Sequence, residues 1–186
     1  MIGYALTGSF CTIGKSIEIM RNLVKKGNDI LPIMSDNAYS ISTRFGDANS
    51  IREEINNICG REIIHTIEKA EPLGPSIKLD ALIIAPCTGN TLSKIANGIT
   101  DTAVCMASKA HLRNNRPLII TLATNDGLSA NLKNIATLLS RKNVYFTPMI
   151  QDDPINKPHS LVADFDLIEV SLENALLGKQ ITKIFI

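Results

Sequence analysis

Leu79-Asp-Ala-Leu-Ile-Ile-Ala-Pro-Cys-Thr-Gly-Asn-Thr-Leu-Ser-Lys-Ile-Ala-Asn-Gly98 is the stretch whose reading decides the fold. An unbroken apolar run, residues 81–85, stops at Pro86, and a short polar turn, residues 87–90, follows. From Thr91 the apolar residues Leu92, Ile95, Ala96 and Ile99 recur at helical spacing. A strand that is apolar on both faces and passes through a polar turn into a helix belongs to a parallel sheet. Open α/β sheets bind ligands at the carboxyl ends of such strands, so a site is expected around residues 87–91.

Outward from this segment the same alternation recurs. Residues 2–7 form an apolar run that ends in Gly8-Ser9, and a helix is expected from Thr12, with a core stripe of Ile13, Ile17, Met20, Leu23 and Val24 and with Gly27 beyond its end. Residues 29–35 read as a second strand, residues 51–59 as an amphipathic helix before Gly60, and residues 63–65 as a short strand. After the central strand come helices near 90–98 and 101–112, a strand over 117–123, and a helix carrying Leu128, Leu132, Ile135, Ala136 and Leu139. A short strand over 144–147 follows. Leu161, Phe165, Ile168, Leu172 and Leu176 mark a final helix before Gly178. This order predicts an α/β protein: a three-layer α/β/α, doubly wound, mostly parallel sheet of about six strands, Rossmann-like, in one domain over residues 1–186, with the loop and helix of residues 150–186 packed on it.

Composition narrows the function. The chain has 186 residues, 45% hydrophobic and 20% charged, with a formal net charge of +1 and no basic run longer than two residues. That balance argues against nucleic acid or an anionic membrane surface as partner. No apolar stretch reaches the ~18 residues of a membrane span, and the first residues lack the basic region of a signal peptide, so a cytoplasmic protein is expected. The four cysteines form no CxxC pair and no His stands at metal-ligand spacing, which leaves no metal site. Aromatic residues, at 4% with no Trp, provide few stacking platforms for single-stranded nucleic acid.

Three strand ends carry small polar residues that a parallel sheet brings to one edge: Thr7-Gly8-Ser9, the turn at 87–91, and Ala123-Thr-Asn-Asp-Gly127. Gly8 and Ser9 before a helix start suit an anion, because the first-turn N–H groups are unpaired and the helix dipole favours negative charge. Thr12 and Ser35 can add hydroxyls. The competing reading makes Gly8, Ser9 and Thr12 a turn and a cap. Neither a GxGxxG fingerprint nor a P-loop is present. Thr88, Asn90 and Thr91 put two hydroxyls and an amide into one turn, more than capping requires. Asn125 and Asp126 either orient a ligand or form an Asx turn. His65 is either a proton donor and acceptor or a strand-end histidine bonded to backbone. Lys94 either pairs with a carboxylate or lies on a solvated face. Arg44 and Lys78 are candidate carboxylate clamps. Cys11 and Cys87 follow strands expected to be neighbours, so they are either a thiol pair or two unrelated buried thiols.

The segment Ala85-Pro-Cys-Thr-Gly-Asn-Thr-Leu-Ser-Lys-Ile-Ala-Asn-Gly-Ile-Thr-Asp101 resembles the AP-x-(S/T)-A-N-T-x-x-K-x-A-x-G-x-x-D segment of the flavoprotein family, which includes flavin-dependent cysteine decarboxylases and phosphopantothenoylcysteine decarboxylase. The resemblance covers residues 1 to about 150 and implies an FMN pocket contacted by Gly8, Ser9, Ser35, Thr88, Gly89, Asn90 and Thr91 in a homo-oligomer; Asn125, which the family retains, is one catalytic candidate, and His65, which stands fifteen residues before Asp80 and not at the place of the decarboxylases' catalytic histidine, is the other on its own chemistry. The decarboxylases carry Pro-Ala-Met-Asn where this chain has Leu122-Ala-Thr-Asn125, and a late cysteine that has no counterpart after Cys105.

Ile63-Ile-His-Thr-Ile-Glu-Lys-Ala-Glu-Pro-Leu-Gly-Pro75, Thr124-Asn-Asp126, Gln151-Asp-Asp-Pro154 and Leu161-Val-Ala-Asp-Phe165 are similar to one branch of that family, the B subunits of a two-component synthase acting in sporulation. This second resemblance implies oxidation of a dihydro-dicarboxylate intermediate of the lysine route to pyridine-2,6-dicarboxylate. The partner it implies, an A subunit, brings its own nicotinamide-binding domain and hence NAD(P). Two other readings stay open: an FMN-dependent decarboxylase or flavin prenyltransferase, and an assembly subunit whose flavin pocket is empty.

Overall fold

The computed structural model describes residues 1–186. In chain order its elements are β1 (Ile2–Leu6), α1 (Phe10–Lys25), β2 (Ile30–Met34), α2 (Asp36–Ser40), α3 (Ala48–Cys59), α4 (Ile67–Ala70), β3 (Ala81–Cys87), α5 (Gly89–Ala96), α6 (Ala103–Leu112), β4 (Leu118–Thr124), α7 (Leu132–Leu139), β5 (Val144–Phe146), β6 (Met149–Ile150), β7 (Leu161–Ala163) and, after a 3₁₀ turn at Phe165–Leu167, α8 (Ile168–Leu176). Strands β2, β1, β3, β4 and β5 pair in parallel, which meets the expected α/β architecture. No helix is long and apolar enough to cross a membrane.

Every residue of β1, β2 and β3 is buried, because helices cover both faces of the sheet. Alternate residues divide between two cores. Tyr4, Leu6, Ile83 and Ala85 face α1, α3 and α8 through Ile13, Met20, Ile55 and Leu172, whereas Ala5, Leu82, Ile84 and Leu122 face α5, α6 and α7 through Leu92, Val104 and Ile135. A fully buried Leu or Ile side chain contributes roughly 1.5–3 kcal/mol, so these two interfaces carry most of the stability. Helix ends follow their sequence signals: Asp47 caps α3, Thr102 caps α6, and Gly27, Gly60 and Gly178 take positive φ beyond the ends of α1, α3 and α8.

Three local expectations change. Residues 63–65 make a single parallel bridge, Ile33 to Ile64, instead of a strand, since the run ends at once in the extended Thr66 and the short helix α4. Leu161 belongs to β7 and not to the last helix; Leu161 and Ala163 are buried on either side of the half-buried Val162, a period of two, and helical phasing starts only at Phe165. The sheet has seven strands, of which β6 and β7 are antiparallel. β4 changes neighbour along its length: Leu118, Ile119 and Ile120 pair with β5, while Ala123 and Thr124 pair with β7.

His111, buried at the end of α6, bonds through Nε2 to the Pro117 carbonyl at 2.9 Å, and burial pushes its pKa below 6.5. The unfolded chain therefore binds this proton more readily than the folded one. Its contribution to stability is complete above about pH 6.5 and is lost as pH falls below that value. Thermal unfolding between pH 7 and pH 5 should show this loss, and His111→Gln should flatten it. An unchanged pH profile in the variant would exclude His111 as its source.

Candidate functional site

The strand order β1-β3-β4 sets the three polar strand ends side by side. Thr7, wholly buried, ties two of them together: its N–H and hydroxyl both donate to the Pro86 carbonyl, at 3.1 and 2.8 Å, and its hydroxyl oxygen accepts from the Thr88 N–H at 2.9 Å. A bulge between Ile84 and Cys87 shifts the register of β3 against β4 just before this turn. It turns Cys87 into the α5–α6 core with Cys105, whereas Cys11 is exposed on α1. The two thiols expected to be neighbours lie in different environments, and burial pushes the Cys87 thiol up in pKa.

Two clefts open at this edge, with Gly8 and Thr88 as common wall. The larger, about 520 Å³, is lined among others by Ser9, Cys11, Arg44, Asn125, Asp152 and Lys157. The smaller, about 250 Å³, is lined among others by Ser35, Asp36, Asn90, Thr91 and Lys94. At the start of α1 no side chain caps the backbone and no acidic residue occupies the first turn. The Ser9 hydroxyl instead takes a hydrogen bond from the Thr12 hydroxyl at 3.2 Å. An uncapped helix start beside serine and threonine hydroxyls is ready for an anion.

The remaining hydroxyls divide their duties. Ser35 caps α2 by accepting from the Ala38 N–H at 3.4 Å. Thr88 caps α5, accepting from the Thr91 N–H at 3.3 Å and donating to the Thr91 hydroxyl at 3.1 Å. The Asn90 side chain is exposed on the cleft wall. Lys94 lines the smaller cleft while pairing with Asp101 at 2.9 Å.

Asn125 lines the larger cleft; Asp126 turns away from it. The Asp126 carboxylate accepts from the Thr124 hydroxyl at 2.5 Å and from Asn131 Nδ2 at 2.9 Å, and Asn131 in turn accepts from Asn134 at 2.8 Å. The Thr124 hydroxyl, first of all, holds the Asp126 carboxyl below the usual carboxylate range. Gly89, expected to touch a cofactor, lines neither cleft. It is buried against Thr124, Asp126 and Asn131, where a Cβ would come within 2.8 Å of each.

Of the candidate clamps, Lys78 is exposed away from both clefts, whereas Arg44 lines the larger one, with its Cζ 4.8 Å from the Phe45 ring centroid. Across the cleft Lys157 pairs with Asp152 at 3.1 Å, and the carboxylate raises the pKa of the ammonium. Sequence reading missed Asp152 and Lys157. Their loop follows a strand too short to recognise, and only the antiparallel return of β7 beside β4 carries it to the site. His65 is not brought to either cleft: a bridge from Ile64 to Ile33 sets it beside the end of β2, where its ring stacks on Tyr39 at 3.7 Å.

Comparison with known proteins agrees with this fold. The B subunit of dipicolinate synthase from Bacillus subtilis (strain 168) is 44% identical over 185 residues, covering 100% of this chain and 92% of that protein. The crystal structure of the dipicolinate synthase B subunit from Bacillus halodurans superposes with a TM-score of 0.91 at 40% identity, covering 100% of this chain and 95% of that one. Flavin prenyltransferase UbiX of Thermoplasma acidophilum is 29% identical over 133 residues, 72% of this chain and 71% of its own length. The family model described as Flavoprotein matches residues 1–166, from β1 through the edge that holds both clefts, and the chain belongs to the Flavoprotein family.

Proposed function

We propose that the chain is the B component of a dipicolinate synthase: it binds FMN at the double cleft and, together with the A component and its nicotinamide cofactor, oxidises a dihydrodipicolinate-type intermediate of the lysine pathway to pyridine-2,6-dicarboxylate during sporulation. The observation that carries this reading is a cleft with a donor-rich wall at the start of α1 and two cationic side chains, Arg44 and Lys157, at its mouth. The first feature suits a phosphate, and the second suits a substrate with two carboxylates. The full-length likeness to the Bacillus subtilis protein supports the same substrate class.

The residues present fit a flavin mononucleotide. Gly8, Ser9 and the uncapped N–H groups of α1 would hold its phosphate, with Ser35, Thr88, Asn90 and Thr91 on the polar chain. FMN, when bound, supplies a two-electron acceptor; NAD(P) on the A component is the final sink. The protein's own part is positioning and charge. Arg44 and Lys157 hold the two carboxylates, Asn125 orients the ring through its amide, and Phe45 with the loop of residues 151–158 keeps water from the reacting face. Aromatisation also releases a proton. Asp152 brings a carboxylate to the cleft wall and takes it there.

Titrating the purified chain with FMN should quench flavin fluorescence at one equivalent per chain. Arg44→Ala should leave that titration unchanged and raise KM for the dihydro-dicarboxylate about tenfold in the presence of the A component, equivalent to ~1.4 kcal/mol for one exposed charge-assisted bond. A chain that binds no FMN, or an Arg44→Ala enzyme with parental KM, would overturn this reading.

A further inference from the structure

The smaller cleft owes one wall, Ser35, Asp36 and Asn37, to the start of α2. This helix is only five residues long, below the length at which a helix holds itself in water, so outside contacts must fix its place. Its place matters to both clefts. A Cβ added to Gly8, their common wall, would touch Asn37 Cβ at 3.5 Å. Ser35 depends on the same helix: its oxygen accepts from the Ala38 N–H at a long 3.4 Å, and its own O–H is left to donate into the cleft.

The outside contacts gather on Tyr39. Its N–H donates to the Ser35 carbonyl at 2.9 Å. Its carbonyl accepts from the Arg52 guanidinium, whose Cζ also stands 4.5 Å from the ring centroid. His65 stacks on the same ring, with centroids 3.7 Å apart and planes 17° apart. Both clamps are firmly rooted. Arg52 belongs to α3, and His65 follows Ile64, whose carbonyl accepts from the Met34 N–H at 2.8 Å and whose N–H donates to the Pro32 carbonyl at 2.9 Å. His65 is therefore fixed to β2 and holds the short helix that leaves the end of that strand.

We propose that His65 is a positioning residue of the flavin site: stacked on Tyr39, it keeps α2 against Gly8 and aims Ser35 and Asn37 at the bound cofactor, and it takes no part in proton transfer. The inference rests on the flavin reading of the two clefts. His65 lines neither of them, so its influence passes through Tyr39. Stacking uses only the flat face of a ring, so Phe serves in place of the imidazole. A cavity of about 200 Å³ beside His65 and Tyr39 leaves room for the larger side chain.

FMN titration and amide hydrogen exchange of the full chain test this. His65→Ala should weaken FMN binding about fivefold, the order of one lost aromatic stack, and His65→Phe should restore parental affinity. Tyr39→Ala should weaken it about tenfold, and adding His65→Ala to that variant should cost less than about twofold more, because the two residues act as one unit. In the ligand-free chain, His65→Ala should speed exchange at the Tyr39 and Ile41 amides, which bond within α2, and leave β1 unchanged; His65→Phe should not. A catalytic histidine would behave differently: His65→Phe would bind FMN normally and lose on the order of 10²-fold in kcat with the A component. That result overturns the proposal, as do parental FMN affinity in His65→Ala, parental exchange in His65→Ala, or additive losses in the double variant. A parental chain that binds no FMN would overturn the flavin reading instead, and the exchange experiment would still decide whether His65 holds α2.

Discussion

Gly89→Ala is expected to destabilise the protein by about 3 kcal/mol and to weaken flavin binding in whatever fraction stays folded. An added Cβ would stand 2.5 Å from both Asn131 Nδ2 and Thr124 Oγ1 and 2.8 Å from Asp126 Oδ1. Flexible side-chain ends often yield to such an intrusion at little cost. These three cannot, because they bond to one another around the Asp126 carboxylate and Asn131 is anchored in turn by Asn134. Relief requires the start of α5 to withdraw from β4 by a fraction of an ångström or more. That displaces Thr88, Asn90 and Thr91, the hydroxyls and amide of both clefts. Urea denaturation and FMN titration of the variant check both halves. Stability within about 0.5 kcal/mol of the parent would show that the network yields freely and that Gly89 is not a packing requirement.

Gly74→Ala should cost at least as much, about 3–4 kcal/mol, and leave flavin affinity untouched in the folded fraction. Gly74 lies in the loop between α4 and β3, with φ at +139°, a conformation that a residue bearing Cβ rarely adopts. Its Cβ would also meet the Ala110 carbonyl oxygen of α6 at 2.4 Å and Asn114 Nδ2 at 2.8 Å. The first contact is with backbone and cannot rotate away. Asn114→Ala combined with Gly74→Ala should therefore recover little of the loss. Full recovery in the double variant would shift the cause from backbone to side chain.

The parts of the fold that sequence alone disclosed are those decided by local chemistry. β1 to β4 are legible because burial on both faces leaves no charged residue inside the runs, and the ends of α1, α3 and α8 because Gly27, Gly60 and Gly178 mark them. β6 and β7 are only two and three residues long. Their pairing is a property of β4, whose last residues, Ala123 and Thr124, run beyond the reach of β5 and so pair with β7. Nothing within residues 149–163 announces it. The site divides in the same way. Gly8, Ser9, Ser35, Thr88, Asn90, Thr91 and Asn125 reach the clefts because parallel strand ends share one edge. Cys87 departs from expectation because a bulge inverts its facing, and His65 because Tyr39 offers it a stacking partner that no periodicity reveals.

The antiparallel ribbon of β6 and β7 has a consequence for how such an enzyme can change. The loop it carries, residues 151–158, is held at both ends by strand pairing and brings Asp152 and Lys157 to the cleft. It contributes nothing to either core, and its tip residue Ile155 is 90% exposed. Doubling the length of a loop so anchored costs only about 0.6 kcal/mol in closure entropy. The two halves of the site are thus under unequal constraint. Mutations at Thr7 or Gly89 strike the scaffold, whereas exchanges within those eight residues leave both cores intact and act only on the cleft wall that Asp152 and Lys157 supply, so new substrate preferences can arise on an old cofactor platform by drift in one surface loop.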